Sequence, residues 1–339
     1  MKVQRLFYVL ISMSLMMPHS SWAWGDLGHR TIAIVAIQNL SDNAKAEASR
    51  ILGYDISSEL PRWSKEAVWA DQVKLDPKWK YMSPYHYADH AQGKSYWETL
   101  PAPGGDAFRA LLKFSESITF RDEFTSRDDK ATALRMIMHL VGDLHQPLHT
   151  GEKENRGGND IPVGYIEGFE CPKDQQVDYD NGGHKLNLHL LWDYIVPRYD
   201  YYMNCENAED AESPLQYATC LESRFNSIAW NSLDLQDWLK VNEDITDKNI
   251  KFGDLMAIDG AYLEQASSKA GLLIYLAGIR LAKTLDEVLA RGHAPEEYST
   301  FYRKVKQAFG EESFAFFKLK PLDIKTASKE NKKSRSSSR

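Results

Sequence analysis

The stretch 139-HLVGDLHQPLH-149 sets three histidines and one carboxylate within eleven residues. His139 and Asp143 stand four apart, so on a helix they project from one face, one turn above the other, where an imidazole and a carboxylate can close on one metal ion. Pro147 is expected to end that helix just before itself and to free His149 to swing toward a second ion. The segment 186-LNLHLLWDYI-195 repeats the device, with His189 and Asp193 again four apart among apolar neighbours. A lone His-x-x-x-Asp pair is commonly a surface ion pair. Two such pairs with His149 in addition argue for two facing ligand helices.

Around this centre the chain reads as helical. Apolar positions from Ile32 to Leu40 follow helical spacing, and Ser41 or Asp42 offers an N-cap for a second helix. The segment 63-WSKEAVWADQVK-74 is short and amphipathic, with Asp71 and Lys74 three apart. An aromatic loop follows, 79-WKYMSPYHYADH-90. Residues 106–120 are again helical in pattern, and the ligand helix spans 128–146 with acidic residues in its first turn, which suits the helix dipole. Two more amphipathic helices are expected at 222–240 and 260–290, while 199–214 is acidic and reads as loop. Neither a fixed-period repeat nor sustained strand alternation is visible, so one all-α, mostly helical domain is the economical reading.

The 339 residues, 43% of them hydrophobic, are ample for a real core. Residues 1–23 read as a secretory signal: Lys2 and Arg5, the apolar run Leu6 to Met17, and Ser21-Trp22-Ala23 as a cleavage site. That run is too short to span a membrane, and no later stretch is long and apolar enough. The mature chain is expected to begin at Trp24 and to be exported, secreted or periplasmic, as a monomer with no stable protein partner. Three cysteines, Cys171, Cys205 and Cys220, permit one disulfide and leave one thiol over; Cys205 with Cys220 is nearest in the chain, but the sequence does not assign the pairing. Without the leader, 39 Lys and Arg face 48 Asp and Glu, a net charge of −9. This argues against a broad phosphate-binding surface, so a polyanion would be held by bound metal or a few local cations. Beyond residue 290 a C-terminal extension (291–339) ends in a tail, 318–339, with eight Lys or Arg against two acidic residues. Its composition is that of a disordered segment, and contact with nucleic acid or an anionic surface is open to it.

The side chains suited to metal are His29, Asp71, His86, His139, Asp143, His149, His189 and Asp193. Mixed nitrogen and oxygen ligands without thiolates favour zinc, and their number exceeds what one or two tetrahedral ions would use. The chain resembles the trinuclear-zinc, single-strand-specific nucleases and 3′-nucleotidases of fungi, plants and bacteria, the type I nucleases. The matching motifs are WGDLGH (24–29), WAD (69–71), PYHYAD (84–89), HLVGDLHQPLH (139–149), GGND (157–160) and NLHLLWD (187–193), in family order. AGIRLAKTL (277–285) extends the likeness to the last helix. The resemblance implies that Asp71, His86 and His139 hold one zinc. Asp143 would bridge it to a second, bound by His29 and by the amine and carbonyl of Trp24. His149, His189 and Asp193 would hold a third. It further implies that Asp71 and Lys74 serve catalysis and that Tyr87, where fungal members carry Phe, stacks on a base whose edge Asp89 and Asn159 reach. His90, His145 and His184 match no ligand position. Trp63, Trp69, Trp79 and Tyr85 read as core or rim. The loop 161–185 is longer than the family usually allows.

The function expected from this resemblance is hydrolysis of single-stranded RNA and DNA to 5′-phosphorylated products, with 3′-nucleotidase activity. Zinc-dependent phospholipase C shares the superfamily and is the alternative. That branch places Glu where this chain has Asp193, and spaces its N-terminal Trp further from the following histidine. A zinc-binding adhesion protein without turnover is a third reading, which leaves Lys74, Asp89 and Asn159 unexplained.

Overall fold

The structure, a computed structural model, describes residues 24–317 except 75, 120–125, 167–186, 207, 209–211, 229–231, 241 and 243–255. The leader, the basic tail, Cys171, His184 and most of the long loop therefore lie outside the described residues. Helix α1 (Gly25–Asn39) is the central element; every residue from Thr31 to Ile37 is buried. Ser41 caps α2 (Asp42–Leu52) by accepting the Ala44 N–H. Short helices α3 (Leu60–Glu66) and α4 (Trp69–Val73) follow, then a 3-10 segment, Lys80–His86. Helix α5 (Ala107–Thr119) packs along α6 (Arg127–Asp143). Ser126 and Asp129 form a reciprocal capping box at the start of α6, with Asp128 and Asp129 in its first turn.

After a 3-10 turn (Pro147–Thr150), α7 (Leu188–Leu190) runs through a π-helical stretch, Leu191–Ile195, into α8 (Val196–Asn204). Pro197 explains the widened turn, because it has no N–H to donate to the Asp193 carbonyl four residues back. Helix α9 (Pro214–Phe225) lies on α1, and the 26-residue α10 (Gly260–Leu285) packs along α1 and α8. A π-helical stretch, Asp286–Arg291, α11 (Glu296–Phe309) and a 3-10 turn, Glu311–Phe314, follow. Trp63 is wholly buried and donates its indole N–H to the Ala33 carbonyl (2.8 Å), as a core tryptophan must. Among the described residues no helix is long and apolar enough to cross a membrane.

The all-α expectation holds, with corrections at four places. A two-stranded parallel ladder joins β1 (Val163–Ile166) to β2 (Met256–Ile258); strands this short are set by their tertiary neighbour, not by alternation. The expected single helix over 222–240 ends at Phe225, and helix resumes only at 235–240. The 199–214 segment is helical as far as Asn204, because Tyr201 and Asp200 are buried against α9. The ligand helix stops at Asp143, four residues before Pro147, and the proline instead opens the turn that carries His149.

Candidate metal centre and cleft

Helix α6 places His139 and Asp143 on one buried face. The His139 Nδ1–H donates to the Ala67 carbonyl (2.7 Å), which can only accept, so Nε2 presents its lone pair inward. That Nε2 lies 2.9 Å from His86 Nδ1, 3.3 Å from Asp143 Oδ2 and 3.7 Å from Asp71 Oδ1. His86 Nδ1 is 3.2 Å from Asp143 Oδ2 and 3.8 Å from Asp71 Oδ1. The other oxygen of Asp143, Oδ1, faces His29 Nε2 at 3.3 Å. One carboxylate thus turns an oxygen to each of two imidazole sets. His29 comes close because residue 142 is glycine: a Cβ there would stand 2.7 Å from His29 Nδ1. The His29 and His139 rings stack at 4.1 Å.

A second group forms where the Pro147 turn brings His149 to His189 and Asp193, which stand one turn apart on one helical run. His149 Nδ1–H donates to the His86 carbonyl and His189 Nδ1–H to the Gly157 carbonyl, both at 2.6 Å. Their Nε2 atoms then face each other at 3.1 Å as two lone pairs with no proton between them. Asp193 offers Oδ1 at 3.8 Å from His149 and Oδ2 at 3.5 Å from His189. Gln146 orients that carboxylate by donating to Oδ1 (2.6 Å).

These residues fit metal ions and fit little else. Burial, together with neighbouring imidazoles, pushes His86 and His149 well below the usual histidine range; burial also lowers His139, and takes His189 down to about 4. The short approaches of His86, His139, His149 and His189 to the aspartates therefore involve neutral rings, although their distances resemble ion pairs. Burial pushes Asp143 up to about 8 and Asp193 well above the carboxylate range. Neither Asp143 oxygen accepts a hydrogen bond, nor does Asp71 Oδ2 or Asp193 Oδ2. A cation answers both the lone-pair collision and the unmet carboxylates. Three side-chain groups have ligand atoms within 4.8 Å of one another: His29, Asp71 and His139; His86, His139 and Asp143; and His149, His189 and Asp193. His139 belongs to two of them, which marks the first two as one joined site.

Trp24 borders this site as the buried N-cap of α1. Its indole N–H donates to the Gly142 carbonyl (2.9 Å), and its own carbonyl accepts the Gly28 N–H (3.0 Å). Its φ of 49° is left-handed, a conformation that costs a non-glycine residue about 1 kcal/mol or more and so is held by its surroundings.

Beside the cluster opens a cleft of about 720 Å³. Lys74 donates to Asp71 Oδ1 (2.6 Å) and lines its floor. Tyr87, Asp89 and Asn159 all line the same cleft. Tyr87 is an exposed aromatic (41%) on its rim, whereas Asp89 is half-buried, with its enclosed Oδ1 accepting no hydrogen bond. Burial, reinforced by the charge of Glu154, holds the Asp89 carboxyl up to about 8. Asn159 donates to the Arg156 carbonyl (2.8 Å). The rim cations Lys80, Lys153 and Arg156 escaped the sequence reading, since no spacing marks them; Gln146 escaped it too, although it sits within the quoted motif. His145 turns away from the centre: it is buried, gives Nδ1–H to the Val141 carbonyl and accepts from Arg280 (2.7 Å) at Nε2. His90 is buried where 88–90 runs alongside 149–153.

A helical fold with buried histidine and aspartate groups under a cation-edged cleft defines a metal-dependent hydrolase of anionic esters. The S1/P1 nuclease family model matches residues 24–290, and the chain belongs to that family. It is 24% identical to Nuclease S1 of Aspergillus oryzae over 82% of this chain and 96% of that one. It is 31% identical to Nuclease P1 of Penicillium citrinum over 52% and 58%, and 25% identical to Endonuclease 1 of Arabidopsis thaliana over 86% and 95%. The chain is accordingly a nuclease, and these relatives favour that activity over phospholipase C.

Proposed function

We propose that the protein is an exported, monomeric zinc enzyme that cuts single-stranded RNA and DNA to 5′-phosphorylated products and removes 3′-phosphates from nucleotides. Residues 24–290 form its catalytic domain and residues 1–23 a leader. Three zinc ions are held per chain: one by Asp71, His86 and His139, one by His29 with the amine and carbonyl of Trp24, and one by His149, His189 and Asp193. Asp143 bridges the first two. The observation that carries this reading is Asp143, whose two oxygens face separate imidazole sets beside the cleft.

Zinc, when bound, activates water and neutralises phosphate charge. The chain supplies the rest. Asp71 holds the Lys74 ammonium at the cleft floor, where it balances charge on five-coordinate phosphorus. Tyr87 offers a ring for one unstacked base, and Asp89 and Asn159 offer polar groups to that base's edge. A base must leave its stack to enter, which favours single strands. The P–O3′ bond breaks, the water oxygen ends on phosphorus, and a proton ends on the departing 3′ oxygen. Parallel assays on single-stranded nucleic acid, a 3′-nucleotide and phosphatidylcholine test this; turnover of the lipid alone would overturn it, as would a stable zinc protein that turns over none of them.

A further inference from the structure

Three groups of residues line the cleft. His86, His149, His189 and Lys74 form its metal end, and Tyr87, Asp89 and Asn159 the position for a base. The third group is Tyr96 with Thr99, Leu100, Pro101, Ala102 and Gly105, none of them charged. This third group borders the second. From His86 the chain passes Tyr87 and Asp89 to Ala91, whose N–H donates to the Thr99 hydroxyl oxygen (2.8 Å). Loop 99–105 then returns along that segment: Gly104 lies against Pro84, and the Ala107 N–H donates to the Tyr87 carbonyl (2.9 Å).

The loop is open to solvent and yet fixed from behind. Leu100 is 86% exposed, and residues 102–104 are exposed beside it. Arg109 is buried beneath them: its Nε donates to Asp106 (2.6 Å), its Nη2 to the Ala102 carbonyl (2.6 Å), and its Nη1 to the Ser313 carbonyl. A buried guanidinium persists only when its donors are met, so these bonds lock the base of the loop. Phe316 lies against Gly105, where a Cβ would stand 2.3 Å from the phenyl ring, and Tyr96 sits among Phe301 and Phe309 of α11. Residues 291–317 thus brace the cleft wall, although they follow the part of the chain that the nuclease family model matches. Exposed apolar surface that adjoins a cleft and is held in one shape marks a binding surface.

Resting on the reading of Tyr87, Asp89 and Asn159 as the base pocket, we propose that loop 99–105 is a second nucleotide subsite, in which Leu100 and Pro101 pack on the face of the neighbouring base of a single strand. The nucleotide in the pocket has its 3′ side committed to the metal end, so the neighbour that meets the loop is the one on its 5′ side. Lys80, Lys153 and Arg156 line the same cleft and supply countercharge to the phosphates of such a strand. Apolar side chains touch the face of a base without reading its edge. The subsite therefore demands a base but is indifferent to which one, and it favours substrates of two or more nucleotides over mononucleotides.

The test compares the full mature chain with Leu100→Ser, a change at an exposed position that adds no charge. Phosphate release is measured from a dinucleotide bearing a 3′-phosphate, from the same dinucleotide lacking its 5′ base, and from a 3′-mononucleotide. In the parent, loss of the 5′ base should lower kcat/KM about fivefold, and in the variant less than about twofold, with the mononucleotide unchanged between the two proteins. Equal losses in both proteins, or no loss in the parent, would overturn the proposal. Removing the 3′ base instead probes the Tyr87 pocket: if that change is silent while the 5′ base still matters, the pocket reading fails and the subsite stands. Calorimetric Kd values for dinucleotides with a non-hydrolysable 3′-phosphonate repeat the comparison without turnover. In a protein that releases no phosphate, a fivefold dependence on the 5′ base that vanishes in Leu100→Ser still upholds the subsite, and equal Kd values overturn it. Leu100-dependent binding to phosphatidylcholine vesicles with no effect on the dinucleotide would also overturn it, by making the loop a membrane contact.

Discussion

At the scale of single residues, Lys74 and Asp89 separate chemistry from recognition. Lys74 touches Asp71, and its charge is available to any phosphoester in the cleft. Lys74→Ala should lower turnover about 10²-fold or more on every phosphoester substrate while zinc content stays constant; a loss confined to nucleotides bearing a base would contradict the role. Asp89 carries a signature in stability. Its carboxyl sits near pH 8 in the folded protein, raised first by burial and then by Glu154, against 3.8 ordinarily. The folded state therefore keeps a proton that the unfolded chain releases, and this contribution is present below about pH 4 and lost as pH rises through 8. Asn has no such loss. The melting temperature of Asp89→Asn relative to the parent should rise between pH 5 and pH 9 by a few degrees. An offset that does not change with pH would show that Asp89 is ionised throughout.

Secondary-structure elements hold these side chains in place through ends and crossings more than through their lengths. Helix α6 ends at the bridging Asp143, and the turn opened by Pro147 carries His149 toward His189. The π-helical stretch before Pro197 carries Asp193 in the same cluster. Away from the site, the Cys205–Cys220 disulfide ties the end of α8 to α9 across 15 residues, with Cα atoms 5.6 Å apart. The same helices share buried Asp200, which accepts from Tyr217 (2.8 Å) and Arg224 (2.7 Å). Replacing both cysteines by Ser should cost about 3 kcal/mol in chemical denaturation and leave zinc content unchanged, since α9 itself carries no residue of the metal centre. Loss of zinc in that variant would mean that the α8 to α9 pairing positions Asp193.

For the whole molecule, metal and fold should be inseparable, because buried aspartate oxygens and imidazole nitrogens that lack hydrogen-bond partners find one only when a cation joins them. A protein beginning at Trp24 should carry three zinc ions per chain and melt well below its holo temperature after chelation. One extra residue before Trp24 converts the α-amine into an amide whose lone pair is given to resonance. That protein should fold, hold about two ions, and lose most activity. Three ions and full activity in the extended protein, confirmed by intact mass, would exclude the terminal amine as a ligand.

The pairing of His139 with Asp143 and of His189 with Asp193 was legible in the sequence, because helical periodicity fixes which side chains share a face. The core tryptophan Trp63, the Ser41 cap and the helical class were legible for the same reason, as local geometry written in local sequence. The sequence left bound metal or a few local cations to hold a polyanion but could not name Lys80, Lys153 and Arg156, which line one cleft only when separate segments fold together. It misjudged the 199–204 segment, whose helix depends on burial of Asp200 and Tyr201 against α9. It could not show His86 beside His139, the close pass of His29 over Gly142, or the packing of residues 291–317 on the cleft wall. Those contacts join residues tens to hundreds apart in the chain, and only the shared burial of their elements decides which of them meet.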